Sequence, residues 1–494
     1  MNVSSHKYQK YDWEGISFPL TLTQIKSVSN HYAFPFDSKL TIWRDENFKL
    51  IGLITGAVHD VNDLEYRENE VIKKVGFICG ETLQAKSNNS DFLIDGFGVS
   101  STKWMPIKDK SGILFNFSCE IHLESLGSIN SSGSKPNIIS ELYLCSMPEV
   151  LFANRTSRYD KHPRYKVRNN IDLPIKNEND YFQSGYSSSW DFAVVKYKNY
   201  EIVVQSINEK YLPANTDGIS IEYRDTNGEL PSIEFRKMFQ EYLSFILGSH
   251  IQNIGVAEFE LGYTLLSYKS QNPWKRKIKK NGNINPIPLN NGHDREFFEK
   301  MLNDLFESFI ALYKKTSLSN CLWQLWIGSE LPIGANLPII ASGFEMLVNS
   351  YLIENNLLKK YSKKEKSQYA ILIKDELESL NDKLAPFDFG TFVLNKLKNP
   401  YNYGIGEKMS IFFKSISMEF DKESIEMKAL QARNTMTHHG VDVDSEEKRR
   451  NIKKLSDAYV TLINRVILRL MDYNWYYIDY SKEGIRNLKM DQNL

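Results

Sequence analysis

The stretch Phe115-Asn116-Phe117-Ser118-Cys119-Glu120-Ile121-His122-Leu123-Glu124 decides the reading of the first half of the chain. Phe115, Phe117, Cys119, Ile121 and Leu123 alternate with polar residues. A period of two sends successive side chains to opposite faces, so this is a strand with one buried and one wet face. The pattern persists from residue 16 to about residue 270. Leu40 to Trp43 and Phe48 to Ile54 flank Asp45-Glu46-Asn47, and Phe192 to Tyr197 and Tyr200 to Val204 flank Lys198-Asn199. Both read as hairpins. Ile219 to Tyr223 and Phe259 to Tyr268 read as further strands, and Ile233 to Leu247 as an intervening helix. Residues 1–270 are therefore expected to form a mainly antiparallel, sandwich- or barrel-like β region, as one domain or two smaller units.

Working outward, residues 271–292 change character. Pro273, a basic run (Lys275, Arg276, Lys277, Lys279, Lys280) and Asn281-Gly282-Asn283-Ile284-Asn285-Pro286 mark a linker or exposed loop. From residue 293 to 494 the period becomes helical. Asp294 to Tyr313 is one expected helix, and Leu337, Ile340, Phe344, Leu347, Val348 and Tyr351 define the core face of another. Lys366 to Leu380 and Asp421 to about His439 follow, the latter with Gly440 where a C-terminal glycine belongs. The last helix is expected to begin at Asp444, with Glu447 three residues on, and its stripe runs Ile452, Leu455, Tyr459, Leu462, Val466, Leu470. The fold class is thus multidomain α+β: a β-rich region, then an all-α bundle.

Composition narrows the function classes. Lys plus Arg equals Asp plus Glu at 61 each, so net charge points to no partner and any nucleic-acid surface is local. The four cysteines are far apart with no Cys-x-x-Cys pair, which argues against a zinc site or a disulfide framework. Met1 to Gly15 has no apolar stretch of a secretory signal, and no run of about 18 apolar residues occurs. A cytoplasmic protein with no membrane partner is expected. Tyr186-Ser187-Ser188-Ser189-Trp190 lacks a Gly-x-Ser-x-Gly elbow, and no phosphate-binding Gly-x4-Gly-Lys-Ser/Thr loop is present. The single histidines His31, His59, His122 and His250 read as structural.

Gln431-Ala432-Arg433-Asn434-Thr435-Met436-Thr437-His438-His439-Gly440 gathers an arginine, an asparagine and two histidines at a helix end between two long helices. Arg-x4-His alone also arises as an ordinary helix-end cluster, because cations favour helix C-termini. In its setting the segment resembles the signature of the HEPN superfamily: an arginine, often followed by a polar residue, then a histidine after four to six positions. Arg433-Asn434 with His438 fits the four-residue spacing and His439 the five-residue spacing. This resemblance covers about residues 293–475. A looser one covers the whole chain. Trp13-Glu14-Gly15, the segment Lys49 to Gly56 and the β-then-helical order are similar to the ApeA-type anti-phage HEPN proteins of bacteria.

What the resemblance implies is a metal-independent endoribonuclease with no cofactor, acting in anti-phage defence by abortive infection. Arg433, Asn434 and His438 would be catalytic, with His439 and Glu345 in support; Glu345 would face the motif from an earlier helix and orient Arg433 or a histidine. Without the resemblance, Glu345 reads as a solvated helix carboxylate. The chemistry suits these residue types. The 2′-OH of RNA is the nucleophile, histidine titrates near neutrality and serves as base or acid, and arginine grips phosphate oxygens while negative charge grows. On an ideal helix, five residues turn the chain by about 500°, leaving Arg433 and His438 roughly 140° apart. They converge if the helix unwinds near Gly440 or if two chains pair their motifs, and the resemblance implies the second, as a homodimer or higher oligomer. A phage protein as trigger and restraint by the N-terminal region are implied with it. Alternative readings are a non-catalytic HEPN module that binds RNA or protein, and the toxin half of a toxin–antitoxin pair. Lys448, Arg449 and Arg450, opening the helix after the motif, are candidates for guiding RNA. Arg155 to Arg168 interleaves basic and aromatic residues, as single-stranded nucleic acid would use, although a charge run is more often a solvated face.

Overall fold

The computed structural model describes residues 19–490 apart from 29–33, 35–36, 59–81, 88–89, 97, 110–111, 130–132, 160–161, 169–185, 208–211, 213–215, 226–228, 261–264, 275–282, 291, 293, 359–361, 399–402, 422, 440–443 and 483–486. In 58, 99, 101–104, 106–109, 112–115, 156–159, 162–168, 186–189, 392 and 434–439 it describes the backbone alone. Trp13-Glu14-Gly15, His31, His59, the basic run 275–280 and Gly440 lie outside the described residues. The chain divides into two compact units, Met1–Phe306 and Glu307–Leu494. The division comes after the composition change at 271–292 and falls inside a helix.

Among the described residues, the first unit carries sixteen strands in one antiparallel sheet. They are β1 (Leu20–Ser27), β2 (Lys39–Arg44), β3 (Leu50–Val58), β4 (Thr82–Ser87), β5 (Ser90–Asp95), β6 (Gly98–Asp109), β7 (Gly112–His122), β8 (Ser125–Ser128), β9 (Ile138–Cys145), β10 (Asn154–Tyr159), β11 (His162–Arg168), β12 (Tyr186–Tyr197), β13 (Tyr200–Ser206), β14 (Asp217–Asp225), β15 (Gln252–Phe259) and β16 (Leu265–Gln271). Their order across the sheet is β11-β10-β12-β13-β14-β9-β15-β16-β8-β5-β4-β1-β2-β3-β7-β6. β1 is the corner. Its start pairs with β2 and its end with β4, and the register breaks between Thr23 and Lys26, where Gln24 has φ 52°. A bulge bends a strand and adds twist, which lets one sheet fold over on itself. The fold-over encloses a core that includes Leu22, Leu40, Ile42, Ile54, Ile94, Ile121 and Leu126, all without exposed area. Buried Arg44 ties the layers by donating to the carbonyls of Phe48, Ile254 and Gln271. Asn272 accepts from the Leu50 amide and donates to the Leu123 carbonyl.

Both expected hairpins are present. The first turns on Asp45, whose side chain accepts from the Asn47 and Lys49 amides, with Phe48 at φ 65°. The second turns at Lys198, φ 52°. Phe259 to Tyr268 is not one strand: Phe259 pairs with Leu265, so the chain reverses between them. Period-two apolarity continues across that reversal, which is why the residues read as continuous. The expected helix, α1 (Ile233–Leu247), has Ser232 as N-cap and Gly248 as C-cap at φ 64°, where a Cβ would fall 1.8 Å from the Asn285 backbone nitrogen. Phe239 and Tyr242 of α1 meet Phe306 of α2 (Phe297–Lys315) at ring distances of 5.0 Å.

In the second unit the helices are α3 (Leu318–Glu330), α4 (Asn336–Glu354), α5 (Lys363–Leu372), α6 (Lys374–Leu384), α7 (Gly390–Lys398), α8 (Ile405–Ser415), α9 (Ile425–His439) and α10 (Glu446–Leu470). The expected single helix over 366–380 is two helices, α5 and α6, with no buried residue in either; no core contact holds them in one line. α9 starts at Ile425, later than Asp421, because Ser424 accepts from the Met427 amide. α10 starts after Ser445, which accepts from the Lys448 amide; Asp444 instead pairs with Lys448 at 3.0 Å. The unit is not purely helical, since β17 (Tyr476–Ile478) pairs with β18 (Asn487–Lys489). Phe344, Phe412, Phe413 and Tyr459 centre the core, with Tyr459 edge-on to Phe344 at 5.9 Å. α3 and α4 pack closely: a Cβ at Gly343 would lie 2.6 Å from Gln324 Cβ and 3.1 Å from the Cys321 carbonyl oxygen.

α9 is held to α10 by a buried ion pair, Glu426 to Arg465 at 3.0 Å. The Arg465 guanidinium also lies over the rings of Tyr477 (4.9 Å) and Phe420 (5.6 Å). Removing one member of a buried pair strands the other charge. Glu426→Ala is expected to destabilise the helical unit by about 3–5 kcal/mol, and Glu426→Met with Arg465→Met by less than either single change. Denaturant midpoints for Glu426→Ala, Glu426→Met, Arg465→Met and the double variant check the order.

Candidate active site

The motif lies on α9, and the helix's inner face sets its geometry. Glu426 and Arg433 are seven residues apart, two turns within about 20° of each other around the axis. Both therefore reach inward. Glu426 pairs with Arg465 on α10, and Arg433 pairs with Glu345 on α4. Ala429, fully buried between them, is small enough for the close approach.

The Glu345–Arg433 pair lies at a cavity of about 690 Å³ in the second unit. Met409 and Phe413 of α8, Met427 and Leu430 of α9, Tyr459 of α10 and the turn residues Ser417 and Phe420 line it. Ser410, Lys414, Ser417, Glu419 and Gln431 add polar groups to the ion pair along its wall. The side chains of Arg433 and Glu345 are 22% and 20% exposed, so solvent reaches a pair that is mostly enclosed. Burial holds the Glu345 carboxyl above the ordinary carboxylate range, with Arg433 and then Lys408 pulling the other way. Beneath it, burial and the Glu345 charge push the Tyr459 hydroxyl far up, so it stays protonated near neutrality.

α9 remains helical through His439. The backbone at His438 therefore stands roughly 140° around the axis and about 7.5 Å along it from Arg433, and that at His439 about 120° away on the other side. Met436 and Thr437 occupy the next turn on Arg433's own face. The structure thus brings Glu345 to Arg433 and leaves the positions of Asn434, His438 and His439 on other faces of the helix; the side chains of these three lie outside what is described.

The basic cluster opens α10. Lys448 pairs with Asp444 at 3.0 Å and Arg450 with Glu446 at 3.2 Å, and Arg449 is exposed. Lys448, Arg450, Lys453, Lys454 and Lys482 line a groove together with Glu447 and Asp457. No family model matches this chain, and no curated protein or solved structure matches it.

The sequence marked Arg433 and Glu345, but not the rest of the cavity. Tyr459 read only as one residue of a core stripe, and nothing in the sequence joins Met409, Phe413 or Lys408 to the motif, since α8 carries no pattern that distinguishes it. Lys482 joins the basic groove through a turn that follows β17.

The raised Glu345 carboxyl fixes a pH dependence. The folded chain takes up this proton more readily than the unfolded chain does. Glu345 therefore favours folding below the ordinary glutamate value of about 4.3, and that contribution is lost as pH rises through the raised value. Relative to Glu345→Gln, wild-type stability is expected to fall as pH rises from about 4 towards neutrality. Urea unfolding of both proteins across that range checks it; a wild type that gains on the glutamine variant would show that attraction to Arg433 outweighs burial.

Proposed function

We propose that this chain is a metal-independent endoribonuclease of HEPN type that acts in bacterial anti-phage defence. The observation that carries the reading is the enclosed Glu345–Arg433 pair, which fixes the arginine of the Arg-x4-His motif beside a cavity. A carboxylate that only balanced charge at a helix surface would be better solvated. Here it holds the guanidinium, a planar cation of the kind that grips phosphate oxygens, beside the cavity.

In the proposed reaction a histidine takes the proton of the ribose 2′-OH. The 2′ oxygen attacks the adjacent phosphorus, the bond to the 5′ oxygen breaks, and an acid returns a proton to that oxygen. The products end in a 2′,3′-cyclic phosphate and a 5′-OH. Arg433 neutralises charge gathering on the phosphoryl oxygens, His438 is base or acid, and Asn434 donates to the phosphate or holds a histidine. His439 is the alternative imidazole. No step needs a cofactor or metal.

A helix continuous through His439 favours a site shared between two copies of the chain. A two-fold axis placing two α9 ends face to face supplies what one helix separates, with one copy's histidine as base and its partner's as acid. The Lys448–Arg450 cluster guides RNA toward the shared site. The β unit senses a phage component and restrains the nuclease until then, which a cytoplasmic ribonuclease requires. No helix among the described residues is long and apolar enough to cross a membrane.

Expression of wild type in cells challenged with phage is expected to give RNA fragments and protection. Arg433→Ala and His438→Ala are each expected to lower cleavage by about a hundredfold or more at unchanged protein level. Total RNA on a gel beside plating efficiency is the check. Variants that protect as wild type does with RNA intact would make the motif structural.

A further inference from the structure

The proposed reaction uses Arg433 at the wall of the cavity and leaves the cavity itself without a role. Helix periodicity shows what the cavity faces. Met427, Leu430, Gln431 and Arg433 all line it, so one arc of α9 forms that wall. The helix runs unbroken to His439. Asn434 follows Met427 by seven residues, and His438 follows Gln431 by seven and Met427 by eleven. Seven residues make two turns and eleven make three, each to within about 20°. The positions of Asn434 and His438 therefore fall inside the arc that lines the cavity, about 4.5 Å and about 10.5 Å beyond Gln431 along the axis. Arg433 stands at one border of that arc. The cavity lies against the sector of α9 that separates the arginine from the histidine position.

The wall grades from apolar to polar. Phe413 is buried, Met409, Met427 and Leu430 are half-buried, and Ser410 and Gln431 are exposed. An apolar depth, a hydrogen-bonding rim and a guanidinium at the border match a flat ring with polar edges joined to an anion. A nucleobase with its phosphate has that form. Methionine side chains turn about three bonds and adapt to a ring face, and the Gln431 amide offers both donors and an acceptor to a base edge. The volume of about 690 Å³ falls among ordinary ligand pockets, about 300–1,000 Å³. An acyl chain would use the depth and ignore the rim and the arginine. An inorganic anion would use the arginine and leave the depth empty.

We propose that the cavity seats a nucleobase, with the attached phosphate on Arg433 and the base edge read by Gln431. The assignment of that base to RNA, at a nucleotide beside the cut, rests on the ribonuclease reading; the nucleotide site itself does not. Gln431 is then a specificity-determining residue.

The test is equilibrium dialysis of the full chain against each of the four labelled deoxynucleoside 3′-monophosphates. They have no 2′-OH, so the proposed chemistry cannot consume them. Wild type is expected to favour one base over the weakest by about threefold to tenfold, the range of one or two net hydrogen bonds. Met427→Trp, which fills the depth, is expected to weaken all four by about tenfold or more. Gln431→Ala, at an exposed position that leaves the fold alone, is expected to level the four affinities to within about twofold. The proposal is overturned if none of the four binds at millimolar concentration, or if neither variant differs from wild type. RNA cut in phage-challenged cells with no mononucleotide bound would overturn this site and leave the ribonuclease reading standing. Mononucleotides bound as expected with that RNA intact would keep the site and overturn the ribonuclease reading.

Discussion

Two ion pairs on one helix face, two turns apart, fix α9, and the candidate site follows from where α9 lies. Glu426 reaches Arg465 on α10, and Arg433 reaches Glu345 on α4. The pairs run in opposite senses, acid on α9 in one and base on α9 in the other. A slide of the helix along its axis would misalign both pairs at once. Each is mostly enclosed, so misalignment would leave charges without partners in a poorly solvated place, a cost larger than most surface contacts can offset. Ala429 between them sets the depth of the helix against its neighbours. The arginine of the motif is therefore placed by the core of the bundle and not by a loop, which is what its proposed contact with a reacting phosphate needs.

The same economy appears in the first unit. One bulge in β1 turns the sheet over, and polar side chains knit the layers: Arg44 of β2 reaches the Ile254 carbonyl of β15, and Asn272, just after β16, reaches the Leu50 amide of β3. That framework carries its edge hairpin at the far end of the strand order from the corner.

Much of this was legible in the sequence. Period two gave the strands around Leu40, Phe115 and Ile219, and the spacing of Leu337, Ile340, Phe344 and Leu347 gave α4. What escaped had physical reasons. α5 and α6 bury nothing, so no stripe shows where one ends. α8 is short, and its Met409 and Phe413 serve the cavity without forming a face that stands out. The start of α9 depends on Ser424, a cap indistinguishable in sequence from the nearby Asp421. Within the site, Arg433 and Glu345 were both marked. That they touch depends on the crossing of α4 and α9, which no local pattern encodes.

The most direct measurement is the chemistry of the RNA ends made by purified chain supplied with extract of phage-infected cells, beside Arg433→Ala treated alike, in excess EDTA, on an RNA and on the same strand with a single 2′-deoxyribose at the cut position. Cleavage without free metal, ends carrying 2′,3′-cyclic phosphate and 5′-OH, and no cut at the deoxy position are expected if α9 carries an Arg–His site that uses the 2′-OH. Intact RNA, cleavage that requires added metal, or products ending in 3′-OH would contradict it.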